Sequence, residues 1–258
     1  MFDMAIRRVE ALARCATNEA HLDQATRWAP QEWIRTAPMK YRGRRNKPDL
    51  DGLVRHADFL RGRTEAPVTR KSVIEAARTA GDNPELLEQA FIVAMTWGFR
   101  PNSFGPYRTS VMLSGTKDGR TTGALLVELG TILSSGGDGS FLSAYSAMSR
   151  QLEMCGPAFG TKWLYFASPG PARAPILDAV VGEWLARHEV DMGSRPLSAA
   201  AWSKPDYQCY LGFCRAAADA IGTEDLGMVE YLMFTDQQYF EYTSQEANFP
   251  NWIRRIEK

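Results

Sequence analysis

Several things are scarce in this chain, and each scarcity excludes something. No apolar run reaches the roughly 18 residues that a membrane-spanning helix needs. The opening Met1-Phe-Asp-Met-Ala-Ile-Arg-Arg lacks the charge-then-apolar order of a signal peptide. The expectation is a soluble cytoplasmic protein with no membrane among its partners. Excess charge is missing too: 30 Lys and Arg balance 30 Asp and Glu. That balance removes any blanket attraction to nucleic acid and leaves such affinity to a local patch. Cysteine is sparse, and Cys15, Cys155, Cys209 and Cys214 show no Cys-x-x-Cys spacing, so buried thiols are expected rather than disulfides or zinc ligands. His21, His56 and His188 are scattered, so neither a metal nor any other cofactor is expected. Finally, no stretch alternates as a strand would and no internal repeat is present, which makes the chain all-α.

What is present is a core. A chain of 258 residues with 45% hydrophobic content suffices for one large or two fused small domains. Residues 2–17 and 22–35 read as short helices, the first from Ile6, Val9, Leu12 and Ala13 at helical spacing, the second carrying Trp28 and Trp33. The stretch from Met39 to Pro48 is the densest basic cluster, with Lys40, Arg42, Arg44 and Arg45 in a Gly/Pro-punctuated loop. It serves either for phosphate contacts or as a solvated loop. A helix is predicted over 49–60, a linker over 61–67 and a helix from Thr69 to about Thr79.

Asn83-Pro84-Glu85 is a helix start, since Asn caps free N–H groups and Pro needs none in the first turn. The helix from there to Trp97 is apolar on two sides and belongs in the core. It runs into Trp97-Gly-Phe-Arg-Pro-Asn-Ser-Phe-Gly-Pro-Tyr107, an aromatic loop holding Arg100, Asn102 and Phe104. Further helices are predicted over 107–114, 121–133, 140–152, 204–221 and 224–234, with a polar and aromatic tail after them.

The most informative run lies between these helices. A helix ending near Leu152 leads into Met154-Cys-Gly-Pro-Ala-Phe-Gly-Thr-Lys162-Trp-Leu-Tyr-Phe-Ala, with a second helix opening at Thr161. Ser-Pro-Gly-Pro-Ala-Arg-Ala-Pro-Ile-Leu-Asp178 follows, and Asp178 heads a third helix. Helix, tight turn, helix, Gly/Pro loop, Asp is the pattern of the helix-hairpin-helix Gly/Pro-Asp superfamily of DNA glycosylases. This run resembles that superfamily, and among its branches the bacterial proteins related to 8-oxoguanine DNA glycosylase. Gly160-Thr161-Lys162 matches the Gly-x-Lys at the end of the family's hairpin, and Pro175-Ile-Leu-Asp178 matches the short apolar run before its catalytic Asp. One departure stands out: the first glycine of the usual Gly-Val-Gly is Ala158, with Gly156-Pro157 just upstream. Several relatives hold an iron–sulfur cluster on four closely spaced C-terminal cysteines, a spacing this chain does not have.

The resemblance implies two packed helical subdomains with the hairpin at the cleft between them, within a single unit. N-terminal helices over 1–60 would pack with the C-terminal helices over 199–258, with core helices over 69–152 and the hairpin and catalytic loop over 153–188. It implies a monomer that acts on double-stranded DNA carrying a modified base, flipping out that base and excising it to leave an abasic site. Gly156, Pro157, Phe159, Gly160 and Thr161 would hold a phosphate, aided by Lys40, Arg42, Arg44 and Arg45. Trp97, Arg100, Asn102, Phe104, Tyr107 and Trp163 are the candidates for base pocket or wedge, although aromatics such as Trp97 also roof a core.

Breaking an N-glycosidic bond needs the base out of the stack, an anion beside the charge growing on the sugar, and a nucleophile for C1′. Asp178 as a helix N-cap is held ionised and supplies the anion. Lys162, among Trp163, Leu164, Tyr165 and Phe166, sits where desolvation favours an amine free to attack. Sixteen residues separate the two positions, room for one helix and one returning loop. Direct attack, with strand nicking by β-elimination, and hydrolysis by water that Asp178 activates are both open. The base is an oxidised purine of the 8-oxoguanine type or, as in similar glycosylases of phage defence, a hypermodified base such as glucosylated 5-hydroxymethylcytosine. Two other readings are a non-catalytic helix-hairpin-helix DNA-binding protein, and an all-α protein-interaction domain whose Gly/Pro turn is fortuitous.

Overall fold

Caps and prolines set where most helices begin. The computed structural model describes residues 2–16, 21–28, 30, 33, 51–63, 66–99, 104–192 and 202–242. Among them the helices are α1 (Asp3–Ala13), α2 (Asp51–Val54), α3 (Ala57–Arg61), α4 (Arg70–Ala80), α5 (Pro84–Gly98), α6 (Phe104–Leu113), α7 (Thr122–Ser134), α8 (Gly137–Gln151), α9 (Pro157–Ala167), α10 (Ala179–Arg187), α11 (Lys204–Ile221) and α12 (Leu226–Tyr242). Two short strands, β1 (Ala25–Trp28) and β2 (Ala66–Thr69), complete the described elements. The protein is all-α, and no described helix is long and apolar enough to cross a membrane. Asn83 caps α5 by accepting from the N–H groups of Glu85 and Leu86 at 3.0 and 3.1 Å, with Pro84 in the first turn. Thr69 with Ser72 and Ser203 with Asp206 form reciprocal boxes at the starts of α4 and α11. Each cap contributes about 1 kcal/mol.

Several boundaries differ from those the sequence suggests. Residues 22–35, read as a helix, contain β1, which pairs antiparallel with β2 so that Ala25 faces Thr69 and Trp28 faces Ala66. Strands this short carry too few positions for an alternating pattern, and their pairing is long-range. Pro67 is tolerated because a two-stranded ribbon is all edge, and the stretch read as a linker therefore ends inside β2. The helix expected over 49–60 splits into α2 and α3, and His56 at the break meets Glu88 at 2.8 Å. α6 opens at Phe104, three residues early, since Pro106 lies in the first turn where its missing N–H costs nothing. α12 continues past Phe234 to Tyr242 through a stretch without Gly or Pro.

One contiguous apolar cluster runs from Ala5, Val9 and Leu12 of α1 to Leu232 and Met233 of α12. α9 is its centre: it packs on α4, α5, α7 and α8, and Trp163, Leu164 and Tyr165 are wholly buried. Each such side chain contributes about 1.5–3 kcal/mol through burial. On another side α1 packs on α11 and α12, and α10 packs on α12. The buried Asp236 joins these helices, accepting from Arg8, from the Trp184 indole N–H at 2.8 Å and from Arg187 at 2.9 Å.

Candidate active site

Helix α9 starts four residues before the Thr161 expected from sequence. Gly156 caps it with extended backbone, Pro157 takes the first position, and Ala158 and Phe159 continue it. Alanine is the best helix former, so with Ala158 in place of a glycine nothing breaks the first turn. Pro157, Gly160 and Thr161 are consequently buried, which leaves Gly156 and Phe159 the more accessible of the residues expected to grip phosphate. The turn joining α8 to α9 is residues 152–156, with Met154 in the left-handed region at φ 58°.

The early start puts Lys162 in the second turn of α9, where it is only 6% exposed. Its Nζ donates to Asp178 Oδ2 at 2.9 Å and to the Ala158 carbonyl at 3.3 Å. The side chain crosses Gly98 at the end of α5, and a Cβ there would stand 2.7 Å from Lys162 Cδ. Asp178 caps α10, its Oδ1 accepting from Val181 N–H at 3.2 Å. Burial works against its charge, but the positive Lys162, the hydrogen bond from it and the Val181 amide prevail. The carboxyl is held below the usual carboxylate range.

What aims Asp178 is the irregular segment 168–177, and side chains hold that segment where no helix or strand does. Thr161 Oγ1 accepts from Leu177 N–H at 3.0 Å while donating to the Pro157 carbonyl at 2.9 Å. Tyr207 and Tyr210 of α11 donate to the carbonyls of Pro175 and Ile176 at 3.1 and 2.8 Å. Ser168 Oγ accepts from Ala174 N–H at 3.2 Å, and Arg173 donates to the Ser168 carbonyl at 2.7 Å. Sequence reasoning missed Thr161 and the two tyrosines in this part, because a hydroxyl at helical spacing carries no sign of a loop far away in the chain.

Lys162 and Asp178 border a cavity of about 320 Å³, also lined by Gln24, Thr26, Trp97, Phe234 and Gln238. Its size lies at the lower end of ordinary small-molecule sites. β1 is strapped to the end of α5 on one side: the Trp97 indole N–H donates to the Gln24 carbonyl at 3.0 Å, and Thr26 Oγ1 donates to the Trp97 carbonyl at 3.2 Å. Behind Trp97, Arg70 and Glu230 form a wholly buried, two-pronged ion pair, and Arg70 Nε reaches Gln24 Oε1 at 3.0 Å. Burial opposes the guanidinium charge, yet Glu230 outweighs it and fixes Arg70 as a cation. The Arg70 Cζ lies 4.9 Å from the Trp97 ring centroid and 5.1 Å from that of Tyr165.

Of the aromatics expected at a pocket, only Trp97 lines this cavity. Trp163 is in the core edge-on to Phe91, Tyr107 is buried beside Val111 and Met154, and Phe104 is partly exposed at the start of α6. The tight helical spacing that puts Lys162 on the cavity turns its neighbour Trp163 away from it. Arg100, Asn102, Lys40, Arg42, Arg44 and Arg45 lie outside the described residues.

A partly buried amine paired with a carboxylate at the wall of a cavity can attack, or help water attack, an electrophilic carbon while the carboxylate offsets positive charge on it. The family described as "Putative 8-oxoguanine DNA glycosylase OGG-like protein" matches residues 19–234. No curated protein and no solved structure matches the chain. The match extends from before β1 into α12 and takes in Lys162, Asp178 and most of the cavity wall, and the chain belongs to the OGG-like DNA glycosylase family.

Proposed function

We propose that this glycosylase excises an oxidised purine from double-stranded DNA, with Lys162 as the nucleophile and Asp178 as the anion that stabilises the reacting sugar. The observation that carries the proposal is the 2.9 Å contact between Lys162 and Asp178 at the wall of the cavity. In this reading the target nucleotide swings out of the helix and its base enters between Trp97 and Phe234, with Gln24, Thr26 and Gln238 offering polar edges. Lys162 gives a proton to water and then bonds through Nζ to C1′ as the C1′–N bond breaks. The base leaves with that electron pair and takes up a proton. Asp178, ionised throughout, faces the positive charge that develops on the sugar ring.

Loss of a further proton from the C1′ adduct and opening of the sugar give a Schiff base at Lys162, from which β-elimination can nick the strand. If water attacks instead, Asp178 orients it and no covalent adduct forms. Borohydride trapping separates these courses. The wild-type protein should give a trapped complex with duplex DNA carrying the substrate base, Lys162→Ala should give none, and Asp178→Asn should lose base release while melting as a folded protein. Unchanged excision in both variants sinks the assignment. The duplex panel should carry 8-oxoguanine, uracil, 5-hydroxymethylcytosine and its glucosylated form, each followed by alkali. Cleavage of the glucosylated duplex alone would replace the oxidised purine with a hypermodified base.

A further inference from the structure

Arg108, on α6, is a cation without a carboxylate. Among the described residues no Asp or Glu forms an ion pair with it; its Nη2 donates to the Met154 carbonyl at 2.7 Å, and its Nε is buried with no hydrogen-bond partner. Three aromatic rings surround the guanidinium, whose Cζ lies 4.5 Å from the centroid of Phe159, 5.7 Å from Phe104 and 6.0 Å from Phe99. Phe99 and Phe159 stack on each other at 4.1 Å. Burial makes the charge costly here, and the adjacent Cys155 offsets little of that cost. Its thiol, pushed up to about 12 by burial, is neutral at ordinary pH.

A half-buried guanidinium held by rings and one carbonyl is a site short of an anion. What lies around it says which anion. A Cβ on Gly156, the cap of α9, would stand 3.9 Å from Arg108 Nη2. The positive dipole end of α9 therefore lies next to the guanidinium. Phe159 is shared: Lys162 Nζ lies 6.0 Å from the centroid of the ring that Arg108 covers. The nucleophile proposed above and the unpaired guanidinium thus flank one side chain, on the scale of a single nucleotide.

We infer that Arg108 binds a phosphodiester of the DNA strand beside the nucleotide under attack, the guanidinium and the α9 N-terminus gripping it together. This inference rests on the glycosylase reading and adds to it a contact outside the α8–α9 turn. Phe99, Phe104 and Phe159 keep the guanidinium in place and partly dry, so the charge-assisted bonds to phosphate form with little loss of side-chain freedom.

The test uses the full chain and duplexes carrying a tetrahydrofuran abasic analogue, with affinity measured by fluorescence anisotropy between about 50 and 200 mM salt. Arg108→Gln should weaken binding about tenfold, as loss of a hydrogen-bonded charge does. It should also lower the slope of log K against log salt by about 0.9, whichever base lies opposite. Arg108→Lys should restore the slope. As a check independent of the variant's folding, neutral methylphosphonate linkages are walked along the phosphates flanking the analogue. One linkage should cost the wild-type protein about tenfold and cost Arg108→Gln clearly less, the remainder being the α9 N-terminus.

An unchanged slope, a loss confined to one opposite base, or no linkage coupled to Arg108 overturns the inference. Provided the wild-type protein still traps on substrate DNA, the glycosylase reading then stands without it. If the wild-type protein shows neither salt-dependent duplex binding nor trapping, both fall.

Discussion

Gly98 matters at the candidate site because of what it lacks. Lys162 lies across it, and a methyl group at that position would press on the middle of the lysine chain at 2.7 Å from Cδ and 3.3 Å from Cε. Gly98→Ala should leave the fold intact and move the amine by a fraction of its reach. A displacement of this order costs about a hundredfold in rate when geometry limits the reaction. Single-turnover excision beside a thermal melt tests this, and an unchanged rate would mean that the lysine finds its position by other means. Asp178 gives a second prediction at this scale. Its folded-state pKa lies below the unfolded value, so its stabilising share is complete above the ordinary carboxylate pKa of about 3.9 and disappears as pH falls through the lower folded value. The stability difference between wild type and Asp178→Asn should therefore be flat above about pH 5 and shrink toward acid, as urea titrations at a series of pH values would show. Asn also caps helices, so the variant should fold.

The element that decides the geometry is the irregular segment 168–177. It has no regular structure of its own, yet it carries Asp178 to a point 2.9 Å from Lys162. Four hydroxyls, those of Thr161, Ser168, Tyr207 and Tyr210, supply what a helix or strand would have supplied. Thr161→Val leaves the buried Leu177 N–H without its acceptor and should cost about 1–3 kcal/mol, whereas Thr161→Ser keeps the oxygen and should cost much less. Tyr210→Phe removes one donor to the Ile176 carbonyl and should cost about 1 kcal/mol. In both damaging variants kcat should fall further than stability does, because Asp178 loses its aim before the core loses its packing. A fall in stability with excision unaffected would count against this role. The segment also shows how much of an element a sequence carries. Its far end was legible in the N-cap Asp178, but its path was not, since most of the bonds that set it come from α9 and α11.

Across the whole molecule, Arg70 and Glu230 join the start of α4 to α12 behind the cavity, 160 residues apart in the chain and both buried. Removing one member leaves a charge without its partner in the interior. Glu230→Gln and Arg70→Met should each cost about 3–5 kcal/mol. The double variant Arg70→Met with Glu230→Leu should be more stable than either single one, because no stranded charge is left. Denaturant unfolding measures the cycle, and a double variant as unstable as the sum of the singles would show that packing around the pair matters more than its charges. At this scale the sequence was least informative. Nothing in it ties Gln24, in a stretch read as helix, to Arg70, nor signals that β1 closes one side of a cavity whose other wall is α12.

By itself the sequence determined what local chemistry can determine: the helical class, the helix starts at Thr69, Asn83 and Asp178, the central apolar helix, and which amine and carboxylate the fold would bring together. Those are consequences of residue type and short-range spacing, which act within a few turns. Tertiary structure alone decided which aromatics line the cavity, how far the second helix of the pair reaches back toward Gly156, and that Arg108 meets no carboxylate among the described residues. Each of these depends on which distant segments pack together, and packing is set by the sum of many weak contacts that no single stretch of the chain contains.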